Sequence, residues 1–409
     1  MTSRDVVLEA TGLDDPISRA TDDTALATRA AIGLPLDCPI VATGHQPMLH
    51  HGGLLAKDMA AHILAQRCAG VAAHLMLDTS ADAVFGVDVP ECVDGRWEVR
   101  RGIVADESSI SLWRRPPAVI RAGGAIDSTV PDDANAMTQA TSLLQWQWDR
   151  VGLAPMLVHS ASLLGTPGGA CMLKAMADDP TTCAATLAAA LDSERIDDMR
   201  RPEVGEDPEL PLWASLAEDA SNRRMARASD LGRDDIIFEP RAVLTSALMR
   251  LFVCDRFIHG TGGGRYDRAT TRWLRDWLGV ELSPPLVVTA HVRIDADAWL
   301  QAQHEVEHAR AQVRQARHDV GEGAPSQVKA TMLGAIESAP AGSRKRRNAF
   351  DAMHVELALH APDRVAAAEA TLDAAIEQAQ VLRRRDWPLV ALSPDRTASL
   401  WKKVSEIFY

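Results

Sequence analysis

Lysine is nearly missing from this chain. Of its 43 basic residues only Lys57, Lys174, Lys329, Lys345, Lys402 and Lys403 are Lys. Acidic residues number 56, so the net charge is −13. That balance excludes a non-specific nucleic-acid binder, whose surface would be basic. Aromatics make up 4%, with Tyr only at positions 266 and 409. No apolar run approaches the ~20 residues of a spanning helix. The opening MTSRDVVLEA does not read as a signal peptide. The cysteines, Cys38, Cys68, Cys92, Cys171, Cys183 and Cys254, are scattered and form no C-x-x-C pair, which argues against a zinc ribbon. Several lie in apolar runs, where a thiol behaves as a small hydrophobe. Low-complexity segments and internal repeats are also lacking. The expectation is a reduced, cytoplasmic protein with neither nucleic acid nor membrane as partner.

What is present is an ordinary globular composition, 46% apolar and 24% charged, over 409 residues. That length predicts two or three domains. The chain is organised around Cys38–Lys57, CPIVATGHQPMLHHGGLLAK. A short apolar run, Pro39 to Thr43, reads as a strand. A loop with His45, Gln46, His50 and His51 follows. Gly52 and Gly53 then open an alanine-rich helix over Leu54–Gln66. Strand, glycine loop and helix start is where an α/β sheet offers backbone N–H groups to an anion, outside the carboxyl ends of its strands. Lys57 beside that loop reads as a phosphate or carboxylate ligand or as a solvated helix charge.

Val71–Leu77 predicts a second buried strand, completing a parallel βαβ unit. Asp78 and Asp82 lie just past it, on the same edge as the histidine loop. They could take sugar hydroxyls or a metal, or cap a helix. Asp94-Gly95 predicts a hairpin turn. A helix around Asp133–Val151 and a third strand, Pro155–Ser160, come next, and His159 reads as a strand-end histidine rather than a base. Arg224–Ala228 resembles the basic-Met-small-basic-small loop of class I synthetases; a basic helix face is the plainer reading. Asp255–His259 reads as a strand. The cluster Gly260, Gly262, Gly263 and Gly264 with Arg265 and Tyr266 then opens an amphipathic helix. Such a cluster lets the backbone approach an anion, or makes a tight turn; no G-K-[ST] follows, so it is not a P-loop. A strand over Leu286–Ile294 ends the core. From Asp295 the text turns helical and Ala-, Glu-, Gln- and Arg-rich, as in a helical hairpin or coiled coil.

His50-His51-Gly52-Gly53 stands where class I synthetases and nucleotidyltransferases place H-x-G-H, with Gly53 in the last His position. A fuller resemblance runs through Thr43-Gly44-His45-Gln46-Pro47, Leu49, Gly52 and Leu54. This stretch is similar to the G-Q-Q loop of the cysteine-adding enzymes of bacillithiol synthesis, the BshC-like family. The acidic segment Asp78–Asp82, the late glycine loop Gly260–Gly264 and the helical stretch Asp295–Arg385 match that family in order. The resemblance implies a Rossmann-like, class I synthetase-like core over residues 38–294. It implies an appended coiled-coil domain with tail over 295–409, able to form a homodimer; residues 1–37, punctuated by Pro16, Asp22-Asp23 and Pro35, read as a peripheral segment.

It further implies a ligase that joins cysteine or another amino acid to an amine such as an amino-sugar conjugate, with ATP or another adenine nucleotide as the candidate cofactor. His45, His50, His51 and Asp78 would be the catalytic set, His50 and His51 as acid/base or oxyanion groups. Gly44, Gln46, Gly52, Gly53, Lys57, Asp82, Gly260, Gly262, Gly263, Gly264, Arg265 and Tyr266 would bind substrate or cofactor. Two other classes stay open. One is a metal-dependent hydrolase using His45, His50, His51, His74 and Asp78. The other is a non-catalytic assembly protein working through its helical part.

Overall fold

A computed structural model describes residues 6–12, 22–80, 86–103, 110–115, 135–199, 203, 205–282, 285–318, 324–360, 362–388 and 391–408. The strands are β1 (Val6–Thr11), β2 (Ile40–His45), β3 (Val71–Met76), β4 (Gly86–Val93), β5 (Arg96–Ile103), β6 (Met156–His159), β7 (Glu209–Leu216), β8 (Arg224–Arg227), β9 (Ile236–Pro240), β10 (Arg256–His259) and β11 (Leu286–Val292). The helices are α1 (Asp23–Ala31), α2 (Gly52–Arg67), α3 (Ala136–Arg150), α4 (Pro167–Asp178), α5 (Pro180–Ser193), α6 (Ala242–Leu248), α7 (Thr261–Leu278), α8 (Ala296–His318), α9 (Ala324–Glu337), α10 (Arg344–His360), α11 (Pro362–Arg383) and α12 (Pro394–Phe408). The chain forms two compact units. One comprises Met1–Val89, Arg100–Val292 and Arg385–Tyr409; the other comprises Pro90–Val99 and Arg293–Arg384.

The first unit is a mixed α/β layer structure with a mostly parallel central sheet. Its order is β1-β11-β10-β2-β3-β6, parallel throughout except for the antiparallel edge strand β1. Strands β2 and β3 carry near-continuous buried runs of Val, Ile, Ala and Leu because both faces are covered. On one face, Ile40, Ala42, Ala73, Leu75 and Val158 join a core with residues of α4, α5, α6 and α7. Burying each large aliphatic side chain there contributes about 1.5–3 kcal/mol. On the other face lie α2 and α12.

The chain order runs outward from β2 to β3 and β6, then restarts on the other side with β10 and β11. Helix α2 covers one face and α7 packs toward the other. A common crossover hand requires this when the direction of winding reverses. The reversal falls between β2 and β10. Asp255 fixes it, pairing with fully buried Arg29 at 3.0 Å and accepting from the Ile40 N–H at 2.7 Å. Thr43 adds a bond to the Ile258 carbonyl at 2.9 Å. Losing one partner of such a buried pair costs about 3–5 kcal/mol.

Several expectations are corrected here. Residues 6–11 are not peripheral: their β-branched run pairs with β11 as an edge strand. The tail belongs with the sheet, because Leu400, Val404 and Phe408 of α12 are buried and Trp401 donates to the Val151 carbonyl at 2.9 Å. Arg224–Arg227 is neither a loop nor a helix face. It is strand β8 in a small antiparallel sheet, β8-β7-β9, with Ala226 buried and Arg224 doubly bonded to Asp230 at 2.6 Å. The hairpin β4–β5 does turn at Asp94-Gly95. Both residues have positive φ, 49° and 78°, as a two-residue hairpin turn of matching twist demands.

In the second unit α8 and α11 run antiparallel, since Arg317 near the end of α8 meets Glu369 near the start of α11 at 2.6 Å. Buried Ala302, Val306, Ala309, Val313 and Ala316 recur at alternating four- and three-residue spacing along α8. The stretch between these helices is two helices, not one. Pro340 and Gly342 (φ 74°) break it, and α9 packs on α10 through Ile336, Met353 and Leu357. Gln378 of α11 bonds both backbone groups of Trp97 at 2.7–2.8 Å. Among the described residues, no helix is long and apolar enough to cross a membrane.

Candidate functional site

Helix α2 sets the geometry. It is wedged between the sheet and α12, so nearly every residue from Gly52 to Ala65 is buried. A helix apolar on all sides is a buried helix, and any charge in it is buried with it. Two such charges are Lys57 and Asp58.

Asp58 accepts from His50 Nδ1 and from His74 Nδ1, each at 2.9 Å, and from Trp148 Nε1 at 3.3 Å. All four side chains are sealed from solvent. Burial by itself would raise the Asp58 pKa. The two imidazoles and their hydrogen bonds outweigh it and hold the carboxyl well below its usual range. Burial also pushes His74 down, against the pull of Asp58. A carboxylate between imidazoles that donate from Nδ1 fixes their tautomers and leaves each Nε2 as an acceptor. Both Nε2 atoms are buried with no hydrogen-bond partner among the described residues.

Lys57 lies at the sheet reversal. Its Nζ donates to the Gly44 carbonyl at the end of β2, at 2.9 Å. Its stem passes Gly260 at the end of β10, where a Cβ would sit 3.9 Å from Lys57 Cδ. The two glycine loops therefore meet at this ammonium. Burial pushes its pKa down to about 8, with Asp58 opposing. Gly260 is the N-cap of α7 and supplies no side-chain bond to the orphan N–H groups of that helix. Gly262 in the first turn faces open space. A buried cation beside an uncapped, glycine-lined helix N-terminus is an anion site in chemical character.

Burial holds the two half-buried histidines of the first loop neutral. His45 is pushed down to about 2 by burial, then by Lys57 and His50. His51 is pushed down to about 4 by burial, then by His50 and Lys57. His51 is the N-cap of α2: its Nδ1 accepts from the Gly53 N–H at 3.0 Å.

A second carboxylate–histidine group stands at the ends of β3 and β6. Buried Asp78 accepts from Ser160 Oγ (2.7 Å), the Ala161 N–H (2.8 Å) and His159 Nδ1 (3.1 Å). The His159 side chain is 31% exposed and lines an open cavity of about 650 Å³. Its Nε2 has no protein partner among the described residues.

The predicted residues thus divide. Gly44, Lys57 and Gly260 come together, with His45 and Gly262 on the same edge. Gln46 follows His45 in the loop, its carbonyl 3.4 Å from His45 Nδ1. His50 turns inward to Asp58. Asp78 orients His159 and Ser160 rather than meeting the histidine loop. Gly52 and Gly53 serve packing: a Cβ on Gly52 would lie 2.3 Å from Val292 Cγ2, and one on Gly53 would lie 3.0 Å from the Ala290 carbonyl. Gly263 gives room to the His259 ring and Gly264 to Val287. Arg265 points to the carbonyls of Glu194 and Arg195, and Tyr266 packs on the large core. Asp82 lies outside the described residues. No group of three or more His, Cys, Asp or Glu converges in metal-holding geometry among the described residues.

Sequence reasoning missed Asp58, Trp148 and the pairing of Asp78 with His159. A signal for Asp58 did exist: a carboxylate inside a helix that is otherwise Ala, Leu, Ile and Met must be buried and partnered. No protein-family model matches the chain, and no curated protein matches it either.

Proposed function

We propose that the chain is a BshC-like ligase of the cytoplasm, joining cysteine or another amino acid through its carboxyl to an amine acceptor such as an amino-sugar conjugate. The parallel sheet is then a Rossmann-like core of the class I synthetase kind, and the helical unit a short coiled coil able to mediate a homodimer. One observation carries the reading: Lys57, the only buried lysine among the described residues, sits where the β2 and β10 glycine loops meet, beside the uncapped start of α7. Ligands of doubly wound sheets bind at such a switch point. Here Lys57 and the α7 N–H groups would hold a carboxylate, or the phosphates of an adenine nucleotide, with His45 on the same edge.

The metal-hydrolase reading has less support. His50 and His74 offer two Nε2 atoms, but Asp78 is fully engaged with Ser160, Ala161 and His159. The test is incubation with cysteine and a glucosamine-malate acceptor, with and without ATP, followed by mass spectrometry. A condensed product in wild type and none in Lys57→Met supports the ligase. No product, together with no thermal stabilisation by nucleotide or aminothiol, sinks it.

A further inference from the structure

We propose that His259 is the proton acceptor of the switch-point site and that Asp267 holds it in its working tautomer. The proposal rests on the ligase reading for the reaction served. It deepens that reading by naming the group that takes the proton of the attacking amine.

His259 ends β10, directly before Gly260, the N-cap of α7. Its ring packs on Phe257, with centroids 4.6 Å apart. Nε2 is buried, and Asp267 Oδ1 stands 3.2 Å from it. Nδ1 lies over the first turn of α7. A Cβ on Gly263 would sit 2.7 Å from Nδ1, while Gly262 beside it faces open space. A side chain at 263 would therefore crowd the Nδ1 edge. The same turn carries the uncapped N–H groups of α7, with Lys57 beside Gly260. An acceptor and a set of donors thus share one corner of the sheet.

The ring is braced from behind. Asp267 is fully buried on α7; its Oδ1 also takes Ser246 Oγ of α6 and lies 2.9 Å from Arg250 Nη1. Burial would raise the Asp267 pKa, but His259, Arg250 and Ser246 outweigh it and keep the carboxylate charged. A carboxylate facing Nε2 keeps the proton there and leaves Nδ1 as the acceptor. Arg250 comes from a π turn, Met249–Val253, closed by the Cys254 N–H on the Met249 carbonyl at 2.8 Å. Its guanidinium also bonds the Asp267 carbonyl at 3.3 Å and Thr271 Oγ1 at 2.8 Å. The π turn, α6 and α7 are thereby locked around one carboxylate. Such turns recur at functional sites.

At neutral pH an amine arrives as ammonium. One of its N–H bonds breaks and Nδ1–H forms. The nitrogen keeps the electron pair with which it attacks the acyl carbon. Asp267 pairs the resulting imidazolium. Arg250, behind Asp267, and Lys57, beside Gly260, are the other charges near the ring. Both oppose a lasting positive charge there, so the proton is passed on to solvent afterwards.

The test is the condensation assay run as pH–rate profiles, with proton–nitrogen NMR spectra of the nitrogen-labelled full chain. Wild type should show an acid limb in kcat and a His259 ring protonated on Nε2 with Nδ1 free. His259→Gln should lose about 10²–10⁴-fold in kcat together with the acid limb, and KM should change by less than about threefold. Added imidazole should return part of the rate to His259→Ala. Asp267→Asn should lower kcat and move the proton to Nδ1. Should that variant not fold, Gly263→Ala covers Nδ1 without touching Asp267, and kcat should fall there too. A His259→Gln rate within about threefold of wild type overturns the proposal, as does a wild-type ring protonated on Nδ1. No condensed product from wild type sinks the ligase reading instead. The tautomer then decides this proposal alone: a free Nδ1 supports it and Nδ1–H overturns it.

Discussion

Asp58 and Asp78 do the same thing in two settings. Each is a buried carboxylate that takes Nδ1–H from an imidazole at the carboxyl edge of the central sheet. Around Asp58 both partners and the indole of Trp148 are sealed, and the free Nε2 atoms face protein. Around Asp78 the single imidazole opens onto a cavity. The hydrogen bond is therefore no guide to function; what the outer nitrogen faces is. The first group ties the histidine loop, α2, β3 and α3 together. The second presents an oriented imidazole to that cavity.

Breaking the sealed group should have the larger effect. Asp58→Ala leaves two buried imidazole donors and an indole donor unpartnered. It should destabilise the chain by about 3–5 kcal/mol, the cost of removing one member of a buried charged network. Urea unfolding reads this directly, and a loss under about 1 kcal/mol would break the contrast with Asp78.

Acid should come next. The folded pKa values of His45 and His51, about 2 and about 4, lie below the ordinary 6.5. Between pH 6.5 and 4 the unfolded chain therefore binds protons that the folded chain refuses. Stability is full above pH 6.5 and falls as the pH drops, by up to about 1.4 kcal/mol per pH unit for each histidine. His51→Gln should flatten that slope, measured as the urea midpoint from pH 7 to 5. An unchanged slope would place the His51 ring in water.

Lys57→Met sharpens the comparison from the other direction. Its folded pKa of about 8 lies below 10.5, so the buried charge costs stability at pH 7 and the cost fades as pH rises from 8 to 10.5. The variant should be as stable as wild type or about 1 kcal/mol more so, while losing nucleotide and product. A variant that both unfolds and loses binding would make Lys57 structural. His159→Gln should move stability least, within about 0.5 kcal/mol, because its ring is partly solvated; a loss above 2 kcal/mol would put it in the sealed class.

Much of this was legible in the sequence. The runs at 40–43, 71–76 and 156–159 are mostly apolar, short and bounded by Gly or Pro, so these strands and their loops could be placed. Lys57 stood out because lysine is so rare. Depth was not legible. His50 and His51 are neighbours with the same side chain, yet one turns into the interior and the other caps a helix. Only the packing of α2 decides that. Gly52-Gly53 reads as a ligand loop because glycine permits close approach, but the approaching group is Val292, 240 residues away in sequence and invisible to local pattern. Pairing Asp78 with His159 likewise needs the knowledge that β3 and β6 are adjacent.

The joint between β2 and β10 has a consequence for how the protein is made. Ile40 bonds to Asp255, and Thr43 to Ile258, each across 215 positions of sequence. During synthesis the β2–α2–β3 unit emerges early, but the surroundings of Lys57 are incomplete until the ribosome has passed His259 and the start of α7. Long-range parallel pairing of this kind is slow to form. The first two hundred residues thus wait with β2 as an open sheet edge, and a chain stalled before Asp255 would expose that edge to other chains rather than to its own β10.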